Sequence, residues 1–196
     1  GNANTASGHQ SLYSNTTGEF NTATGAYSLL NNTTGNANTA SGTGSLSSNT
    51  TGNFNTGNGK DSLPVNTTGS GNAASGFQTL YSNTTGGQNT AFGSTSMYSN
   101  VSGRWNNAVG GKSLYSNTTG VGNAAQGFAT LYSNTTGSNN LAIGNTAGYN
   151  NKTGSGNVFL GWNAGFAETG SNTLYITNNQ QTPLLYGQFS SDPAAN

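Results

Sequence analysis

Gly69-Ser70-Gly71-Asn72-Ala73-Ala74-Ser75-Gly76-Phe77-Gln78-Thr79-Leu80-Tyr81-Ser82-Asn83-Thr84-Thr85 is followed at Gly86 by a second phrase of the same length and punctuation. Reading outward in both directions, the asparagine of the N-T-T-G phrase recurs at Asn15, Asn32, Asn49, Asn66, Asn83, Asn100, Asn117, Asn134 and Asn151. Every step is seventeen residues, with no insertion or deletion. A fixed period is the signature of a repeat architecture, in which each unit buries its apolar face only by stacking on its neighbours. A disordered linker has no reason to hold such a register.

Counting each unit from its glycine (Gly1, Gly18, Gly35 and onward to Gly154) exposes further columns. The fourth position is Asn, from Asn4 to Asn157, and the eighth is Gly, from Gly8 to Gly161. The sixth is small, being Ala in most units, Gly57 in the fourth and Phe159 in the last. The twelfth is Leu, or Met97, until Gly148 and Gly165 replace it. Recurrent glycines mark places where φ is positive or where no side chain fits. Asparagine tolerates the left-handed region, and stacked asparagines form amide ladders. Stretches such as Asn4-Thr5-Ala6-Ser7 and Ser11-Leu12-Tyr13 are too short for helices and read as β-strands, two per unit.

The expectation is an all-β chain: a seventeen-residue-repeat β-solenoid of ten coils over residues 1–170, then a β-hairpin or connector over 171–196. Coils stacked about 4.8 Å apart give a rod near ~48 Å. Thr173-Leu174-Tyr175-Ile176-Thr177 alternates like a strand, Asn178-Asn179-Gln180-Gln181 reads as a turn, and Ser191 to Asn196 as a frayed tail. One Leu and one Ala per coil make a thin core. A buried Leu contributes only ~2 kcal/mol, against ~1–2 kcal/mol of ordering cost per residue. Chains that share their cores around a common axis would resolve this. In the last two units, Asn140-Leu141-Ala142-Ile143-Gly144 and Asn157-Val158-Phe159-Leu160-Gly161 carry bulky apolar flanks. They imply either a thicker core or a convergence of chains.

Composition narrows function. Four basic and four acidic residues leave a net charge of +0, which removes the basic face that nucleic acid or an anionic membrane surface needs. No apolar run approaches the ~20 residues of a membrane span. Cysteine is absent, so neither disulfides nor thiolate metal sites arise. The chain opens at Gly1 without Met, which reads as a processed product or a part of something longer.

Asn140-Leu141-Ala142-Ile143-Gly144 resembles the N-S-x-A-x-G repeat in the YadA-like heads of trimeric autotransporter adhesins, and Asn21-Thr22-Ala23-Thr24-Gly25 is a polar version of it. The longer repeat, with its extra N-T-T-G turn, departs from that pattern and looks more like phage tail-fibre-type and other bacterial trimeric surface fibres. The phrases Asn172-Thr173-Leu174-Tyr175-Ile176 and Pro183-Leu184-Leu185-Tyr186-Gly187 are similar to the connector after such repeats. The resemblance spans residues 1–187. It implies a left-handed parallel β-roll in a side-by-side homotrimer, located extracellularly, on a cell surface or a virion. No binding residue carries over.

Catalytic chemistry is poorly supported. His9 is the lone histidine, and Glu19, Asp61, Glu168 and Asp192 stand in different columns, without a pair for acid–base work or metal binding. Gly111-Lys112-Ser113 looks like a fragment of a phosphate loop but lacks the following helix. No catalytic residue, metal ligand or cofactor is expected. The nine N-x-[ST] sequons in the N-T-T-G column read as turn chemistry before glycan acceptors.

Variation between coils is more informative. Bulky and charged residues gather beside the turns, at positions two and three and at nine and ten. The candidate ligand-binding residues are Phe20, Tyr27, Phe54, Phe77, Arg104, Trp105, Phe128 and Trp162, exposed aromatics being typical contacts for glycans and protein surfaces. A second aromatic column, Tyr13, Tyr81, Tyr98, Tyr115, Tyr132 and Tyr149, fits an inter-chain interface. The expected function is a non-enzymatic adhesive segment of a trimeric fibre, with a surface glycan or protein receptor as partner and neither nucleic acid nor membrane insertion. The alternatives are a passive spacer stalk and an ice-binding protein using the Thr/Ser columns at positions five and seven.

Overall fold

The computed structural model describes residues 1–178 and 182–190. Those residues form an all-β solenoid without a helix. The ten repeats contribute β1 (Thr5–Ser7), β2 (Thr22–Thr24), β3 (Thr39–Ser41), β4 (Thr56–Asn58), β5 (Ala73–Ser75), β6 (Thr90–Phe92), β7 (Asn107–Val109), β8 (Ala124–Gln126), β9 (Leu141–Ile143) and β10 (Val158–Leu160). All join one sheet in sequence order, parallel and in register, so that Thr22 faces Thr39 and Ala23 faces Ala40. From β2 onward the middle residue of each of these strands is buried and its flanks point outward.

The second expected strand does not form. Leu29, Leu46, Leu63, Leu80, Leu114 and Leu131 have φ between 48° and 53°, and the residue two before each is also left-handed. A segment alternating in this way cannot extend. Instead it folds the leucine inward and turns its N–H along the rod, where Leu29 N–H donates to the Ser45 carbonyl at 3.0 Å. The left-handed conformation costs each leucine roughly 1–2 kcal/mol, offset by full burial and a bond to the next coil. The two recurrent glycine columns serve two purposes. Gly93, in the eighth column, has a φ of 120°. Gly35, in the first column, has no such φ, but an added Cβ would lie 2.5 Å from the Asn32 side-chain oxygen.

From Asn21 onward the asparagines of the fourth and N-T-T-G columns are interior residues and not left-handed turn residues. Asn66 and Asn72 are both essentially inaccessible to solvent. In the N-T-T-G column Asn66 Nδ2 donates to Asn49 Oδ1 at 2.8 Å and to the Gly69 carbonyl at 3.0 Å. In the fourth column Asn55 Nδ2 donates to that same Gly69 carbonyl at 2.8 Å. Asn72 in turn gives both its backbone N–H and its Nδ2 to Asn55 Oδ1. From Gly18 to Gly137 each first-column glycine carbonyl thus receives two amides, and buried polar groups that would otherwise be costly become the coil-to-coil fastening. The core is therefore thicker than one Leu and one Ala. The sequon asparagines are occupied too: eight of the nine, from Asn32 to Asn151, are 0% exposed, which leaves a glycan no room in the folded coil.

At the C-terminal end the interior is rebuilt around one ring. Phe159 replaces the small sixth-position residue and fills the space left where Gly148 and Gly165 replace leucines; a Cβ on Gly148 would lie 2.6 Å from Phe159 Cδ2. The bulky flanks do not thicken the core. Leu141 and Ile143 point outward and are exposed, because strand alternation with a buried Ala142 leaves them no other side.

The parallel ladder runs one strand past Gly170. β11 (Thr173–Ile176) pairs with β10 in a register one residue shorter, Val158 facing Leu174. Thr173 takes over the asparagine column, giving its N–H and hydroxyl to Asn157 Oδ1. Beyond it β12 (Leu185–Gln188) lies antiparallel to β11, Tyr175 facing Tyr186. Of the expected turn from Asn178 to Gln181 all but Asn178, and the whole tail from Ser191, lie outside the described residues.

Candidate functional site

Each coil holds its variable residues on the two turns that flank the strand. The turn before it, at positions two and three, carries Phe20, Phe54, Arg104 and Trp105; the turn after it, at nine and ten, carries Tyr27, Phe77, Phe128 and Trp162. None of the seven aromatics is buried; Phe54 is 70% and Trp105 60% exposed. The eight candidates therefore do not form one site. They lie along two corners of the rod, separated by the sheet face.

One part of this pattern is concave. On the leading corner, Phe54 in the fourth coil and Arg104 in the seventh bound a trough of about 380 Å³. Its lining includes Thr68, Ser70 and Gly71 from the fifth unit's approach, and Thr85, Gly87 and Gln88 from the sixth. The trough exists because Gly71 and Gly87 stand where other coils place side chains. Trp105 donates its indole N–H to Gln88 Oε1, which anchors the ring beside the trough. Sequence reading found the walls and missed the floor; the available signal was Gly71 at position three, following Phe54 in the same column, with Gly87 at position two of the next coil.

Arg104 is exposed and, among the described residues, the single ion pair joins Lys60 to Asp61 at 2.7 Å. On the trailing corner, the Lys60 ammonium also sits 5.6 Å from the Phe77 ring centre, and His9 meets Tyr27 edge-on at 5.3 Å.

The tyrosine column forms a continuous stack within the chain. Tyr81, Tyr98, Tyr115, Tyr132, Tyr149 and Phe166 follow one another at 4.9–5.2 Å with their ring planes nearly parallel. Coil spacing alone sets this geometry, since in-register side chains repeat at the rung separation. The outward sheet face changes character along the rod. Thr5, Thr22, Thr39 and Thr56 stand exposed at its start, whereas Phe92, Val109, Leu141 and Ile143 stand exposed further along. No charged residue occupies either outward column from Thr5 to Ile176.

The carboxylates are scattered. Glu168 accepts from the N–H groups of Thr169 and Gly170 and from the Tyr175 hydroxyl at 2.9 Å, closing the end of the asparagine ladder. Burial, reinforced by that carboxylate, pushes the Tyr175 phenol up to about 12. Among the described residues no group of three His, Cys, Asp or Glu side chains is placed to hold a metal ion. Compared with known proteins, the chain matches no family model, and no curated protein or solved structure shows significant similarity to it.

Proposed function

We propose that the chain is a non-enzymatic, adhesive segment of an extracellular trimeric fibre, attaching to a surface glycan or protein receptor. The observation that carries this reading is the division of labour within each coil. Glycine, asparagine, leucine and alanine repeat in the interior, while large aromatics vary on the corners, where they stay exposed outside the core. Exposed Phe20, Phe54, Trp105 and Trp162 carry a solubility cost that contact with a partner would offset.

Three-chain assembly is the second half of the proposal. The uncharged apolar stretch of the sheet face, Phe92, Val109, Leu141 and Ile143 with Val158 and Leu160 beyond, suits a seam with two further copies. An equivalent face on another copy is apolar at the same heights, so each copy covers what its neighbour exposes. A left-handed roll, as the family resemblance implies, belongs to the same proposal.

Sedimentation of the intact chain should give the mass of three copies, and Ile143→Asp should yield a folded species of lower mass. Trp105→Ala with Trp162→Ala should then reduce attachment to cells or arrayed glycans while leaving the far-ultraviolet spectrum unchanged. A monomer that attaches to nothing would refute the proposal; attachment untouched by the tryptophan changes would reduce the segment to a spacer. Ice binding is the second reading, favoured by the exposed hydroxyl array of Thr5, Thr22, Thr39 and Thr56 on one face. Ala73, Asn107 and Ala124 interrupt it, and a lack of thermal hysteresis would remove it.

A further inference from the structure

The trough between Phe54 and Arg104 has a more specific chemistry than adhesion requires, and we propose that it binds a carboxylated sugar of the sialic-acid or uronic-acid class. This rests on the adhesive reading above and narrows it to one site and one ligand chemistry.

The floor is backbone. Gly71 has a φ of 72° in a column that elsewhere holds Phe54 at 58° and Trp105 at 57°, so the fifth coil keeps the same backbone and omits the ring. With Gly87 at position two of the sixth coil, the floor sinks between Phe54 and Arg104, three rungs apart, about 14 Å at the usual strand spacing. A volume of about 380 Å³ suits a small ligand.

One wall offers an apolar face. Phe54 presents an exposed ring in the lining, which stacks on the C–H face of a pyranose, and the exposed Trp105 ring stands beside the trough. The hydrogen bond from Trp105 to Gln88 Oε1 fixes the indole and leaves the Gln88 amide N–H groups to donate to a ligand. The hydroxyls of Thr68 and Thr85, both exposed on the lining, bond no protein group among the described residues, which leaves them to a polyol.

The charge selects among sugars. Arg104 lines the trough and pairs with no carboxylate among the described residues. Asp61 is held by Lys60 on the other corner and Glu168 is held by Tyr175 near the far end. Glu19 stands in the second coil, outside the lining. An unopposed guanidinium is a planar five-donor fork that matches a carboxylate through two parallel bonds. An apolar peptide would leave that fork and both threonine hydroxyls unpaired, whereas an acidic sugar satisfies all of them.

Calorimetric titration of the intact protein with sialyllactose and with oligogalacturonate tests the site, with lactose and methyl-esterified oligogalacturonate as the neutral counterparts. We expect one acidic probe to bind at least about tenfold tighter than its neutral counterpart, and which one does so identifies the source of the carboxylate. Arg104→Gln should weaken that binding by about ten- to a hundredfold, the usual loss for a charge-assisted bond. Gly71→Phe should fill the trough and abolish binding, yet leave the circular dichroism and solution mass unchanged, because its column already accepts Phe at this φ. Equal binding of acidic and neutral probes, no binding of either acid, or wild-type affinity in both variants would overturn the site. If the protein still attaches to cells in any of those cases, the adhesive reading survives and only the trough fails; if the wild type attaches to nothing, both fall.

Discussion

Replacing Phe159 by alanine tests whether the C-terminal core is an exchange of one ring for two leucines. Phe159 is 0% exposed. Gly148 and Gly165 both face it, and Gly148 also faces Leu131, whose Cδ2 would lie 2.8 Å from an added Cβ. Phe→Ala changes in packed cores cost about 3–5 kcal/mol. The upper part of that range applies here, because neither glycine has a side chain that could relax into the cavity. The informative variant is the triple change Phe159→Ala, Gly148→Leu and Gly165→Leu, which restores the pattern of the earlier coils. The two glycines have φ of 64° and 59°, close to the 48–53° of the leucine column, so the backbone is already suited to leucine. Burying each leucine contributes about 2 kcal/mol and its left-handed backbone costs roughly 1–2 kcal/mol, so the filled cavity should return much of what Phe159→Ala loses. Gly148→Leu alone should destabilise, since the ring already occupies the space. Urea unfolding followed by far-ultraviolet circular dichroism, at one fixed protein concentration because association adds to stability, gives all the variants. The reasoning fails if Phe159→Ala costs less than about 1 kcal/mol, or if the triple variant is no more stable than Phe159→Ala.

Asn83→Ala removes a donor to both Asn66 Oδ1 and the Gly86 carbonyl and an acceptor for Asn100 Nδ2; with several buried partners orphaned, a loss of about 3 kcal/mol or more is expected in the same unfolding assay. Gly93→Ala places a Cβ 2.6 Å from the Gly110 carbonyl carbon at a φ of 120° and should destabilise strongly, while Gly111→Ala, whose nearest neighbour is Phe128 Cδ2 at 3.5 Å, should melt within a degree or two of the wild type. The Tyr175 phenol, raised to about 12 from 10.0, favours the neutral form in the folded chain. Its contribution is complete below pH ~10 and is lost as pH rises through ~12; NMR titration of labelled tyrosine should show this, and Glu168→Gln should move the midpoint down.

The seventeen-residue period, the β-class and the stacking of coils were legible because each depends on one-dimensional order: a fixed glycine spacing, short apolar positions and no room for a helix. The direction of the corner aromatics was legible for the same reason, since they flank turns. Other features were decided only by three-dimensional neighbours. The leucine segment looks like a strand in sequence, yet the bond from Leu29 N–H to Ser45 O rewards a left-handed backbone that no local propensity predicts. The asparagines look like turn residues, yet they also bond asparagines one coil away, as Asn66 Nδ2 does Asn49 Oδ1, and only stacking supplies that partner. Leu141 and Ile143 look like core, yet strand alternation around Ala142 turns them outward. The trough required two glycines in different coils to fall side by side between Phe54 and Arg104. Spacing along the chain fixes what repeats; which groups become neighbours across coils, and so what is buried, bonded or hollow, follows from the stacking itself.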